Sequence, residues 1–415
     1  MAIIESIVSQ HAEEAAFLWL LRRAAVSAPH YSVKDLAELD DRVEAHVDGL
    51  RVSGDEGWPF CEAGLDFEES GEVFAAGVIA LEGDDAARIR KVYETVEAAP
   101  ETVDGLVSAM GWTPRDKLQG KVAGLLGSEA ALWRRVGISA CAVHRVDCQD
   151  YLTRAVEDPD PALRARALRA AGETARLDLL QALRRQFTAE SEACAFWSAW
   201  SALLLGDRGA AVERMGALAL ASAEFASRAA ATLPRALPAS HSRDWLKQLA
   251  TMTERRRDLI IACGATGDPD YIPWLIQQMA ESPDHARIAG EAFTFITGVD
   301  LAYDDLETDW PEGFEAGPTE NPEDGDVAMD PDEDLPWPDP ALIEAWWHAN
   351  QERFTSGSRY LVGAPISAQH CQHVLRGGMQ RQRIAAALEL ALMEPRAMLF
   401  ETRAPGFRQQ AALKH

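Results

Sequence analysis

Tyr151 to Phe187 reads YLTRAVEDPDPALRARALRAAGETARLDLLQALRRQF, and the fold is decided here. A helix ends at Asp158-Pro159-Asp160-Pro161. The next one starts with Pro161 in its first turn, where a missing N–H costs nothing because that donor has no intrahelical partner. That helix stops near Gly172, and another begins between Arg176 and Phe187. Comparable units start at Cys194 (CAFWSAWSALLLGDRGAAVERMGALAL), Phe225 (FASRAAATLPRALPASHSRDWLKQLA), Arg256 (RRDLIIACGATGDPDYIPWLIQQMA) and Ala286 (ARIAGEAFTFITG). Glycines 172, 206, 264 and 298 are expected to end equivalent helices, at spacings of 34, 58 and 34. The middle gap fits two units, so the period is about 30 residues, each unit two helices and a short turn.

Residues 3 to 26 carry Ile4, Ile7, Val8, His11, Ala15, Leu18, Leu21 and Ala25, mostly three or four apart, which is one apolar helical stripe. Alternating Val/Ile/Thr runs are nearly absent, so no sheet of more than two strands is expected. The fold class is therefore all-α: an α-solenoid forming a right-handed superhelix, with a long acidic Pro-rich loop and a C-terminal helical cap. The expected segments are 1–147, a helical region of diverged repeats; 148–302, clear repeats; 303–340, the acidic arm; and 341–415, a C-terminal helical region.

DPDPALRARALRAAGE and GATGDPDYIPWLIQQM resemble HEAT or HEAT-like repeats, with Asp and Pro in the turn and Arg and Ala along the second helix. The resemblance covers about Cys148 to Gly298. The later order ITG-x-D-L (Ile296 to Leu301), DEDLPWPDP (Asp332 to Pro340), Trp346-Trp347, F-x-x-G-x-RYL-x-G-x-P (Phe354 to Pro365), GGMQRQRIAAALELAL (Gly377 to Leu392) and LFETRAPGFRQ (Leu399 to Gln409) is similar to a HEAT-repeat family of Gram-negative bacteria. Its genes often lie near type VI secretion clusters. The resemblance implies a secretion-associated accessory role and carries no catalytic residue.

The 415 residues include 66 acidic and 40 basic side chains, a formal charge of −26. Such a chain repels phosphate backbones, so no nucleic-acid partner is expected. The six cysteines are irregularly spaced and do not form a disulfide framework. With an N-terminus that lacks a basic region, they point to a cytoplasmic protein. No apolar run is long enough for a membrane span. Residues 303 to 340 hold fifteen Asp or Glu, seven Pro and no Lys or Arg, and so carry −15 of the −26. Trp310, Phe314 and Trp337 interrupt this arm, and solvating tails lack such aromatics. The arm is expected to dock, with the aromatics as anchors and the carboxylates setting register.

Candidate chemistry is sparse. Cys141, His144 and Cys148 have a metal-compatible spacing without a fourth ligand, and core packing is the better reading. The same holds for His370, Cys371 and His373. Asp330, Asp332 and Asp334 alternate as in an EF-hand, but Leu335 replaces the turn glycine and Ala341 the bidentate Glu. No phosphate loop, nucleophile elbow or metalloprotease helix occurs. No cofactor, no metal and no catalytic residue is expected. The functional expectation is a protein-interaction scaffold, not an enzyme. It would be a type VI secretion-associated adaptor or chaperone for an effector or spike component, or a cognate immunity protein. The alternative is an enzyme on a HEAT-like scaffold, bilin lyase-like or DNA glycosylase-like. Partner-binding candidates are Trp310, Trp337, Trp346, Trp347, Arg166, Arg169 and Arg256, because aromatics and arginine dominate interface energetics.

Overall fold

A computed structural model describes residues 3–318 and 328–414. It is all-helical, and among the described residues the sheet content is one two-stranded hairpin. The chain divides into two compact units. The first comprises residues 1–183 and 398–415, and the second residues 184–397. The expected boundaries after residues 147 and 302 fall inside these units, and the last 18 residues belong with the N-terminal helices.

The first unit contains α1 (Glu5–Ala25), α2 (Val33–Ser53), α3 (Trp58–Gly64), α4 (Ser70–Gly83), α5 (Ala86–Ala98), α6 (Val103–Trp112), α7 (Lys121–Leu126), α8 (Ala131–Val143), α9 (Asp150–Ala155) and α10 (Pro161–Glu173). The chain leaves it through α11 (Leu180–Arg185). The second unit contains α12 (Glu192–Leu204), α13 (Ala210–Ala221), α14 (Ala226–Ala236), α15 (Ala239–Leu249), α16 (Arg256–Thr266), α17 (Ile272–Glu281), α18 (Pro283–Thr297), α19 (Pro340–Asn350), α20 (Ala368–Gly377) and α21 (Gln380–Met393). The short α22 (Gly406–Leu413) returns to the first unit.

Alternate helices stack in rows. In the first unit α4, α6, α8 and α10 pack successively, and in the second α12, α14, α16 and α18 do the same. The intervening α13, α15 and α17 each pair with the helix that follows. This is the packing an α-solenoid requires, each helix pair burying a stripe against its neighbours only. The starts are set locally. Asp160 accepts from the Leu163 N–H with Pro161 in the first turn, Asp339 does the same before Pro340, and Ser367 caps α20 through the His370 N–H.

The helix ends differ in part from expectation. Gly206 and Gly298 follow α12 and α18 with φ of 91° and 73°. Gly172 and Gly264 lie within the last turns of α10 and α16, and the left-handed residue comes three later, at Ala175 and Gly267. At Gly267 the requirement is strict. Its φ is 69°, its carbonyl accepts from the Tyr360 N–H at 2.8 Å, and a Cβ there would lie 2.2 Å from the Tyr360 oxygen. Tyr360 begins the hairpin β1 (Tyr360–Leu361) and β2 (Ala364–Pro365), whose turn residues Val362 and Gly363 both have positive φ. The turn N–H groups donate to the Phe295 and Ile296 carbonyls and so close the end of α18.

The C-terminal return explains the division into units. The Leu399 N–H donates to the Glu173 carbonyl, and Arg145 donates to the Leu399 carbonyl. The buried Asp40 accepts from Arg22 and from the Gly406 N–H, while Arg22 also donates to the Arg403 carbonyl.

Replacing Gly267 by Ala should destabilise the chain by about 2–3 kcal/mol, because it adds a left-handed penalty and separates the hairpin from α16. Gly124 sits inside α7 with open space around a would-be Cβ. Gly124→Ala should be neutral or stabilising by up to about 1 kcal/mol. Urea unfolding of both variants checks the contrast.

Candidate functional site

The run Arg255-Arg256-Arg257 at the start of α16 divides three ways, because successive helical residues point about 100° apart. Arg255 donates to the Ser222 carbonyl and pairs with Asp258 at 3.3 Å. Arg256 turns to α17, donating to Gln278 at 3.1 Å with its guanidinium 5.9 Å from the Trp274 ring. Arg257 forms a bidentate pair with Asp332 at 2.6 and 2.7 Å, and that bond raises the guanidinium pKa further.

On the Arg256 side lies a groove of about 440 Å³. One wall is a single face of α15 carrying Arg243, Leu246 and Lys247, continued by Ala250. The other walls are Arg256, Leu259 and Cys263 of α16, and Tyr271 and Trp274 at the start of α17. The i, i+3, i+4, i+7 spacing on α15 mixes apolar and basic residues on one face, a signal the repeat reading passed over. The floor is apolar. Burial pushes the Cys263 thiol pKa up and the Tyr271 hydroxyl up to about 12, so neither ionises near neutrality. The rim is cationic. Arg243 reaches Asp268 and Asp270 at 3.4 and 3.2 Å, and Lys247 meets Asp244 at 3.3 Å with both side chains exposed. Exposed pairs of this kind contribute about 0–1 kcal/mol.

On the Arg257 side, residues 330–337 of the acidic arm, with Trp310 beside them, are seated on α16 and α18. Arg287 of α18 donates to Asp330 at 2.5 Å and to the Asp332 carbonyl at 2.8 Å. Its guanidinium lies 4.5 Å from the Trp337 ring and 5.2 Å from the Trp310 ring. Trp310, Phe314 and Trp337 surround one another at 5.1–5.9 Å. Arg381 adds an ion pair in which one guanidinium nitrogen is shared between both Glu291 carboxylate oxygens, and a bond to the Pro331 carbonyl. Trp337 and Asp332 are both buried, whereas Trp310 is 48% exposed. Trp337 is buried where an aromatic anchor would sit, and Asp332 beside it is buried in a bidentate ion pair, a geometry that resists opening as well. Residues 319–327 lie outside the described structure.

The remaining expected residues occupy other places. Trp346 is half-buried against Phe293, and Trp347 is buried against Phe354. Arg166 and Arg169 belong to the first unit, where both pair with the buried Glu173 at 3.0 and 2.8 Å. Burial alone would raise the Glu173 pKa, but these two arginines, with Arg145, hold it at about 2. The seven candidates therefore do not converge on one site. Trp310 and Trp337 share the arm seat, Trp346 and Trp347 sit on α19, Arg256 lines the groove, and Arg166 and Arg169 neutralise a core carboxylate.

Cys141 is buried in α8 as a core residue, and Cys148 and His144 are buried too. No group of three or more potential metal ligands occurs among the described residues. His144 has a structural use. Its Nε2 lies 2.8 Å from the Met110 carbonyl and its Nδ1 3.3 Å from Arg408, so the neutral ring with its proton on Nε2 satisfies both. Burial first, then Arg408 and Arg115, lowers its pKa to about 4 against the hydrogen bond to Met110.

A scan against models of protein families gives no match to this chain, and a search of curated proteins gives no significant one.

Two outcomes follow from these placements. Above pH 6.5 the His144 ring is neutral in both folded and unfolded chains. As pH falls from 6.5 toward 4 the unfolded chain takes up the proton first, so up to about 3 kcal/mol of stability is lost across that window. His144→Gln keeps a donor for Met110 without titrating, and urea unfolding across this range should show a shallower pH slope than wild type. In the arm, Trp337→Ala and Asp332→Ala should each speed limited proteolysis between residues 303 and 340 by roughly tenfold or more, through a larger open population. Glu333 is exposed, and Glu333→Ala should leave the rate unchanged.

Proposed function

We propose that the chain is a protein-interaction scaffold and that the groove between α15, α16 and α17 seats a segment of a protein partner. The observation that carries this reading is the groove itself, an apolar floor open at the surface between packed helices, with Trp274 and Tyr271 on one wall. Such concave apolar surfaces, with aromatic and arginine side chains at the contact, are where interface energy concentrates. Burying one large apolar side chain there contributes roughly 2–3 kcal/mol. The stacked helix rows give that surface a stiff support, so little ordering entropy is lost on binding.

The HEAT-like resemblance extends the proposal. As a type VI secretion-associated accessory protein, the chain would hold an effector or spike component as an adaptor or chaperone, or neutralise an effector as its immunity protein. All of these roles require a partner held on a fixed solenoid surface in the cytoplasm, and none requires nucleic acid or a membrane.

A photo-crosslinking amino acid at Lys247, on the groove rim, tests this in cells of the native host. The expected result is one dominant protein adduct that is absent when the same group replaces Glu38 on α2, an exposed position of the other unit. No adduct at Lys247, or the same adducts at both positions, would overturn the reading.

A further inference from the structure

We infer that the partner segment received by the α15–α17 groove is an acidic peptide with a large apolar side chain at its centre. This rests on the scaffold reading and adds the chemistry of what is bound. Two observations carry it. The first is charge. The chain as a whole carries −26, yet Arg243, Lys247 and Arg256 line this groove against one lining carboxylate, Asp270, with Asp268 and Asp244 paired to Arg243 and Lys247 from beside it. Cations gathered around an apolar floor on an otherwise acidic protein select an anionic segment and repel a basic one.

The second observation is the arm. At the residue after Arg256, on another face of α16, Arg257 already holds the carboxylate of Asp332 in a bidentate pair, and Arg287 lies against Trp337. The same region of the molecule thus displays, within its own chain, how an acidic segment with an aromatic anchor is seated. The described arm residues that carry this pattern, Asp330, Asp332, Leu335 and Trp337, are buried or ion-paired at their own seat. The groove is therefore assigned to a segment from a partner and not to the arm.

The geometry divides the labour. Leu246, Leu259, Tyr271 and Trp274 would surround the central side chain and set the dissociation rate. Lys247 and Arg243 are exposed, with weak carboxylate partners that an incoming Asp or Glu can replace, so they set the association rate and its dependence on salt. Arg256 does both, since it stacks on Trp274 and faces the rim.

The test uses the full chain and three fluorescein-labelled heptapeptides read by anisotropy. One is acidic with a central Leu-Trp pair (EDDLWED), one has the same pair with basic flanks (KRKLWKR), and one is acidic without the apolar pair (EDDSSED). The acidic Leu-Trp peptide should bind at least tenfold more tightly than either control. Trp274→Ala should weaken it at least tenfold. The double variant Lys247→Glu, Arg256→Glu should weaken it at least tenfold and flatten its salt dependence, with an unchanged circular-dichroism spectrum and melting midpoint. Arg257→Ala should leave its affinity within twofold. Equal or tighter binding of the basic peptide would overturn the inference, as would affinity unaffected by the groove variants. Loss of binding on Arg257→Ala alone would place the acidic peptide on the arm's seat and also overturn it. A dimer abolished by Trp274→Ala would make a second copy the occupant, with the same consequence. The scaffold reading fails separately: an adduct at position 247 whose crosslinked peptide is basic would sink the acidic inference and leave the scaffold standing.

Discussion

Burying a carboxylate among packed helices costs several kcal/mol unless a guanidinium meets it with good geometry. This constraint organises the molecule. Asp40 meets Arg22, Glu173 meets Arg166 and Arg169, Glu389 meets Arg235 and Arg359, Asp332 meets Arg257, and Asp330 meets Arg287. Most of these pairs join segments far apart in sequence, so they act as register pins and not only as local ion pairs. Glu389 of α21 is reached from α14 and from the hairpin, and Asp40 is reached from α1 and from the N-terminus of α22. Removing one member of such a pair leaves a buried charge uncompensated, and the loss then exceeds what the pair contributes when intact.

This use of arginine also explains what was and was not legible in the sequence. The Asp-Pro turn before α10 and the Ser367 cap have local meanings, and those helix starts came out where the signals put them, while the glycine rhythm placed only some of the helix ends. The seating of the arm could be anticipated from Trp337, because a large aromatic in an acidic run has little reason to stay in water. The destinations of the arginines could not. Arg255, Arg256 and Arg257 are adjacent in sequence and separate onto three surfaces. Arg166 and Arg169 looked like a binding stripe, yet they face Glu173 four and seven residues later on the same helix. The division into units was hidden for a related reason. It depends on contacts such as Asp40 with Gly406, which no local pattern announces.

The groove was partly legible. Arg256 and Trp274 stood out as residue types, but the mixed basic and apolar face of α15 became meaningful only beside α16 and α17. Its position next to the arm's seat gives α16 a double role. One face fixes the chain's own acidic segment, and the other borders an apolar floor rimmed by Arg243, Lys247 and Arg256. A partner would be selected by the match of both properties, since an apolar side chain alone fits many grooves and charge alone is screened within about 10 Å at ordinary salt.

Hydrogen exchange on the full chain, with and without a saturating acidic Leu-Trp peptide, tests the central claim most directly. The account predicts that the Thr308, Asp332, Leu335 and Asp339 amides, each bonded within the arm and its base, exchange slowly in the free chain, near the rate set by global unfolding. It predicts added protection on 243–259 and 270–278 with the peptide, and no change on 328–340. Exchange of the arm at the rate of an unstructured linker, or peptide protection confined to the arm and α18, would contradict it.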